Sequence, residues 1–459
     1  MSVHKSRSLN DRQTILILAY IVFLLIFLNP KDADSQETNL ELDESRITEV
    51  IDTVLAAFEA HYVYPDIAGE FCDSIRHKHE IGEYGEIDDL MRLTDRLSED
   101  LRKISGDLHI RVIVMSPDDF NPAIGDTITH DKIAKKARTN FNFKKVEWLP
   151  GNVGYLRFDQ FADPVYAGQT AVAAMNFLAY CDAIIIDLRN NGGGEEKMVR
   201  LISSYFFKEP IQINSLYFTE TDSLEQSWTY AYVPGKKLTD VELYILTSGH
   251  TASGAEAFAY SLKSRNRATV VGESTAGAAH WVEYYDFPKL QVRAKIPIAR
   301  PINPITKTSW EKIGVKPDIE TSAANALDIA HVKALKNLIS KSVDETIKRD
   351  LSWFLIAAEA SANPVEFSEK DLQEYTGVYA EGRYGILIKE GRLFWRYTDG
   401  NDYVLIPITK DLFGFDDTND VRIQIVRDKS GDVSGFRLVY RDDHKGSVRT
   451  RTGDWIESF

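Results

Sequence analysis

The chain has 459 residues, 44% of them hydrophobic and 27% charged, so it is too long for one ordinary domain and too apolar to be disordered. Lys and Arg total 54 against 69 Asp and Glu, a net charge of −15 that repels phosphate backbones and anionic headgroups and argues against nucleic-acid binding. Two cysteines, Cys72 and Cys181, are too few for a disulfide framework or a cysteine metal site and leave a single disulfide open.

Residues 1–13 carry His4, Lys5, Arg7 and Arg12, and an uncharged apolar run follows from Thr14 to Leu28. The run is shorter than the ~20 residues a spanning helix prefers, and Ala33-Asp34-Ser35 offers small residues where a signal peptidase cuts. Residues 1–35 are expected to be a signal peptide of an exported, periplasmic or extracellular protein that touches the membrane only transiently. An uncleaved anchor is the alternative.

From Leu42 to Ile104 the pattern is helical, with Ile47, Val50, Ile51, Val54, Leu55 and Phe58 at three-and-four spacing, and residues 36–106 are read as a helical cap. Residues 107–362 alternate strand and helix signals. NVGYLRF, DAIIIDL, ELYILT and ATVVG are the strands, with helices near 166–180, 196–206 and 253–264. Strands apolar on both faces indicate a largely parallel α/β layer, whose ligand sites lie beyond the strands' carboxyl ends. After the Asn363-Pro364 linker, alternating strand-length segments separated by Gly- and Asp-containing turns predict an all-β meander over 363–459.

Two segments carry chemistry. In LTSGHTASGAE a buried strand runs into a small-residue turn and a helix near Ser253. A serine there sits at the positive end of a helix dipole among free backbone N–H groups, which suits a nucleophile, and it equally suits a helix cap with Glu256 completing a capping box. In DLRNNGGG the three glycines Gly192, Gly193 and Gly194 let backbone N–H groups point at one anion. The N–H groups of Gly254 and Gly193 are the expected oxyanion donors. The His77–His79 stretch reads as a solvated face, so neither a metal site nor a cofactor is expected.

DLRNNGGG and TASGAE, followed in order by RATVVGE and GVKPD and preceded by HYVYPDIA and LSEDLRKISGDLHIRV, resemble the tail-specific (C-terminal processing) serine peptidases. The resemblance is to the branch of interphotoreceptor retinoid-binding protein and the tricorn core, over about residues 44–345. It implies an α/β core of the crotonase and Clp-protease spiral kind, with the cap before it and the all-β module after it, and it makes Ser253 the nucleophile. The lysine of the family's Ser/Lys dyad falls on Ala278, so that mechanism is not available. The tricorn-like alternative implies His109 as base and Glu311 as its orienting carboxylate. Leu108 replaces a tricorn serine beside that histidine, which leaves Asp107 as a second orienting candidate, and His280 and His250 compete with His109. The expectation is an exported serine peptidase acting near unstructured or C-terminal peptide ends, with peptide or unfolded protein as its partner. The alternative is a non-catalytic carrier of hydrophobic ligands.

Overall fold

The computed structural model describes residues 42–116, 130–397 and 400–454. The expected signal segment lies outside them, and among the described residues no helix is long and apolar enough to cross a membrane. Three helices open the chain. α1 (Glu44–His61) is capped by the Asp43 carboxylate on the Arg46 N–H at 2.7 Å and buries the six apolar residues whose spacing marks it. α2 (Pro65–Glu80) begins with Pro65, which lacks only an N–H that a first helical turn leaves unused. α3 (Leu90–Ser105) ends at Gly106, whose φ of 72° lies in the left-handed region a C-cap glycine adopts freely.

β1 (Arg111–Val114), α4 (His130–Ala137) and β2 (Phe143–Leu149) lead into the central layer. There β3 (Val153–Phe158), α5 (Pro164–Phe177), β4 (Ala183–Asp187) and α6 (Glu196–Ser204) are followed by the hairpin β5 (Gln212–Phe218) and β6 (Ser223–Trp228). Then come β7 (Glu242–Thr247), α7 (Gly254–Lys263), β8 (Thr269–Gly272), β9 (Trp281–Phe287), β10 (Val292–Ile302) and β11 (Ile319–Glu320). The main sheet has the order β11-β8-β7-β4-β3-β2 and is parallel except at the β2 edge. One face packs on α5, α6 and α7, and the other on α8 (Ala326–Lys341) and α9 (Glu345–Ala362). Burial on both faces is why β4 and β7 read as unbroken apolar runs.

A second sheet, absent from the sequence expectations, is antiparallel in the order β1-β10-β5-β6, with β9 also on β10. Its inner face, including Val112, Val292, Ala294 and Ile296, completes the core beneath α1–α3. The cap helices therefore share their core with residues far beyond 106. The meander after α10 (Glu369–Tyr375) closes on itself. Eight strands, from β12 (Gly377–Tyr379) to β19 (Arg449–Gly453), form a barrel filled by aromatic and aliphatic side chains, which leaves no free edge between its first and last strands. Cys72 and Cys181 are both free and lie in different cores.

Candidate active site

The carboxyl ends of β4 and β7 lie side by side, and the loops leaving them are tied together. The Ser248 hydroxyl donates to the Arg189 carbonyl at 2.5 Å, the Thr251 hydroxyl to the Leu188 carbonyl at 2.8 Å, and the Ala252 N–H to the Asn191 carbonyl at 3.1 Å. Ser253 follows with φ 54° and ψ −121°, a conformation a side-chain-bearing residue adopts only when its surroundings impose it. It stands at the N-cap of α7, and its N–H donates to Glu256 Oε2 at 2.8 Å, which is the Glu256 half of the capping box.

Glu256 does more than cap. It is fully buried and also accepts from the Thr275 hydroxyl at 2.5 Å, the Gly277 N–H at 2.7 Å and the Ala278 N–H at 2.9 Å. Burial pushes its carboxyl up to about 7, against the pull of these four donors. One carboxylate thus joins the serine's backbone to the loop that continues into Ala279 and His280. Ala278, at the dyad-lysine position, is buried in that loop.

The glycine loop corrects one expectation. The Gly193 N–H donates to Asn191 Oδ1 at 2.8 Å, and Asn191 is itself anchored on the Phe158 carbonyl at 2.8 Å, so this N–H does not face the cleft. Gly193 serves by its size. At φ 100°, a Cβ there would lie 2.7 Å from both Gly254 N and Ser253 Cβ. The exposed Gly194, at φ 131°, and Gly254 at the first turn of α7 carry the N–H groups with no acceptor among the described residues.

The histidines converge on Asp107, fully buried just beyond the α3 C-cap. Its Oδ2 lies 2.6 Å from His280 Nδ1 and accepts the Tyr62 hydroxyl at 3.1 Å, and its Oδ1 accepts the His109 backbone N–H at 2.9 Å. Burial raises the Asp107 carboxyl, but the hydrogen bond and charge of His280, helped by the His109 amide, hold it below the ordinary value. His280 Nε2 is buried with no partner. His109 Nδ1 is likewise unpartnered, 4.0 Å from Asp107 Oδ1, and burial together with Lys295 pushes the His109 imidazole down to about 4.

Glu311 lies beside His280 rather than His109. Its Oε2 is 3.8 Å from His280 Nδ1 and accepts the Ala279 N–H at 2.7 Å, while burial raises its carboxyl. His250 is exposed on the turn before Ser253. The ligand atoms of Asp107, His280 and Glu311 lie within 4.8 Å of one another, close enough to hold an ion. The 2.6 Å separation is that of a hydrogen bond, whose proton occupies the Nδ1 position a metal would need.

Two cavities share Ser253, Gly194 and His280. One is a small hole walled by Val199, Ile213, Leu216, Ala257 and Trp310. The other is a larger open cleft that also reaches His109. Ser253 thus stands where an apolar hole meets an open groove.

Residues 152–321 match the model of peptidase family S41, and residues 40–142 match the N-terminal domain of the S41 peptidase in eukaryotic IRBP. The chain belongs to peptidase family S41. Among curated S41 relatives, a carboxyl-terminal-processing protease of Picosynechococcus is 28% identical over 42% of this chain and 44% of its own length. A carboxyl-terminal-processing protease of Synechocystis is 34% identical over 28% of this chain and 29% of its own length. The matches therefore span less than half of either relative. Among solved structures, a putative peptidase from Parabacteroides merdae aligns at 17% identity with a TM-score of 0.45, over 66% of this chain and 98% of that one. The barrel lies outside both S41 family models.

Proposed function

We propose that this chain is an exported serine peptidase, built on a spiral core of the crotonase and Clp-protease kind, that cleaves near unstructured or C-terminal peptide ends through an acyl-enzyme on Ser253. The observation that carries the reading is a strained serine at a helix N-terminus sharing its cleft with His280, whose outer nitrogen holds a buried carboxylate while its inner nitrogen has no partner. Ser253 Oγ attacks the scissile carbonyl as its proton passes to His280 Nε2. Asp107 fixes the tautomer through Nδ1 and stabilises the imidazolium. The N–H groups of Gly254 and Gly194 receive the oxyanion, the departing amine takes the proton from the imidazolium, and water activated by the same imidazole releases the acyl group.

A second reading keeps His109 as base, as the family resemblance implies, because it lines the same cleft and its Nδ1 is unpartnered. Geometry favours His280, since only its ring is oriented by a carboxylate at hydrogen-bond distance. Glu311, 3.8 Å from His280 Nδ1, adds its negative charge to the His280 reading alone. A hydrophobic-ligand carrier would have no use for the strained serine or the oriented imidazole. Labelling with a fluorophosphonate probe tests the proposal: wild type should label covalently and Ser253→Ala should not. Equal labelling of both would remove Ser253 from the mechanism.

A further inference from the structure

The cleft carries a cluster of cations that the acylation chemistry does not use. β1 and β10 pair antiparallel with Arg111 directly opposite Lys295, an arrangement of like charges that destabilises a sheet unless something neutralises it. Their neighbours Val112, Ala294 and Ile296 point into the core under the cap helices. Strand alternation turns Arg111 and Lys295 to the opposite face, where both line the cleft that holds Ser253. Arg102, from the last turn of α3, lines it too.

Among the described residues neither Arg111 nor Lys295 has a carboxylate within ion-pair distance. The carboxylates that line the cleft, Asp159 and Glu195, come from the parallel-sheet body, and Asp159 is paired with Arg157 at 3.0 Å. Burial and the Arg111 charge push down both the Lys295 amine and the Arg102 guanidinium, and the opposing pull of Asp107 on Lys295 and of Glu99 and Asp95 on Arg102 does not offset them. In a chain of net charge −15, an unpaired cationic pair beside the nucleophile is a local reversal of sign that an anion would relieve.

We propose that Arg111 and Lys295, supported by Arg102, form a carboxylate-binding subsite that selects peptides bearing a carboxylate close to the scissile bond. The carboxylate is either the α-carboxylate of the chain end or an acidic side chain. A guanidinium and an ammonium on adjacent strands can each donate to one carboxylate oxygen, and binding removes their mutual repulsion as it forms the two bonds. The inference rests on the peptidase reading and names the substrate feature that reading leaves open.

The test uses the full chain and two pairs of quenched fluorescent peptides sharing one apolar core sequence. The first pair differs only in a free or amidated C-terminus, and the second, amidated throughout, only in Glu or Gln. Wild type should prefer the carboxylate member of at least one pair by about tenfold in kcat/KM, the scale of one charged hydrogen bond, and the pair that discriminates identifies the source. Arg111→Gln and Lys295→Met should each shrink that ratio, and together bring it close to one, while Arg111→Lys should keep part of it. Both peptides of a pair meet the same enzyme, so the ratio does not depend on how much of a variant folds. No preference in wild type, or a preference that survives in the double variant, overturns the subsite. Loss of Ser253-dependent fluorophosphonate labelling in wild type would instead overturn the peptidase reading.

Discussion

Replacing Asp107 by Asn keeps the side chain's volume but reverses the hydrogen-bonding sense of one atom. Oδ1 still accepts the His109 N–H, and the amide nitrogen takes the place of Oδ2, which now faces His280 Nδ1 at 2.6 Å and the Tyr62 hydroxyl at 3.1 Å. Tyr62 can turn its hydroxyl to accept. His280 must offer a lone pair at Nδ1, which moves its proton to Nε2, and an Nε2–H cannot take a proton from Ser253. Holding the wrong tautomer in a serine-hydrolase triad costs about ten-thousand-fold in rate, or about 5 kcal/mol of transition-state stabilisation. Losing the charge-assisted bond should also lower stability by about 1.5–3 kcal/mol. Because the Asp107 carboxyl titrates below its ordinary range, its contribution is present above the unfolded value and fades as pH falls through the folded one. The stability difference between wild type and Asp107→Asn should therefore narrow in acid. The assay is the second-order rate of fluorophosphonate labelling, with urea unfolding followed at neutral and acidic pH. Labelling of folded Asp107→Asn within about threefold of wild type would refute the Asp107–His280 arrangement as the proton-transfer unit.

The pH profile of labelling separates the two histidines: if His109 is the base, its depressed imidazole keeps activity until pH falls through about 4, and a limb well above that removes His109 from the role. Gly193→Ala places a Cβ 2.7 Å from Gly254 N and Ser253 Cβ, so it should displace the Ser253 turn and lower kcat by about a hundredfold, and a change confined to KM would count against this account. Ending the chain at residue 362 removes Arg422, which stacks 3.8 Å over Trp353 of α9, and Asn419, whose carbonyl accepts the Trp353 indole N–H at 2.6 Å. The remainder should keep labelling, because no site residue comes from the barrel, and should melt a few degrees lower as Trp353 becomes exposed; loss of labelling would show that the barrel supports the cleft.

The apolar spacing of α1 and α3, the doubly buried runs of β4 and β7 and the small-residue turn at Ser253 were legible in the chain, because burial on one helix face or on both sheet faces leaves a local pattern. The helix start at Ser253 was legible, since a strand end and a small-residue turn precede it. Local pattern carried no information on what meets across the fold. His280 reaches Asp107 over 173 residues, and Arg111 meets Lys295 only because β1 and β10 pair in one register. The second sheet was missed for the same reason, its strands being assembled from both ends of the core. Glu256 read as a cap partner because its other three donors lie in a loop that only tertiary structure brings to it. Gly193 and Gly194 are indistinguishable by type, and the side chain of Asn191 decides between them by taking one N–H, while the other has no acceptor among the described residues. Periodicity reports which face of an element is buried, whereas a site depends on which buried faces touch, and that is set by long-range register and by the hydrogen bonds that long-range packing completes.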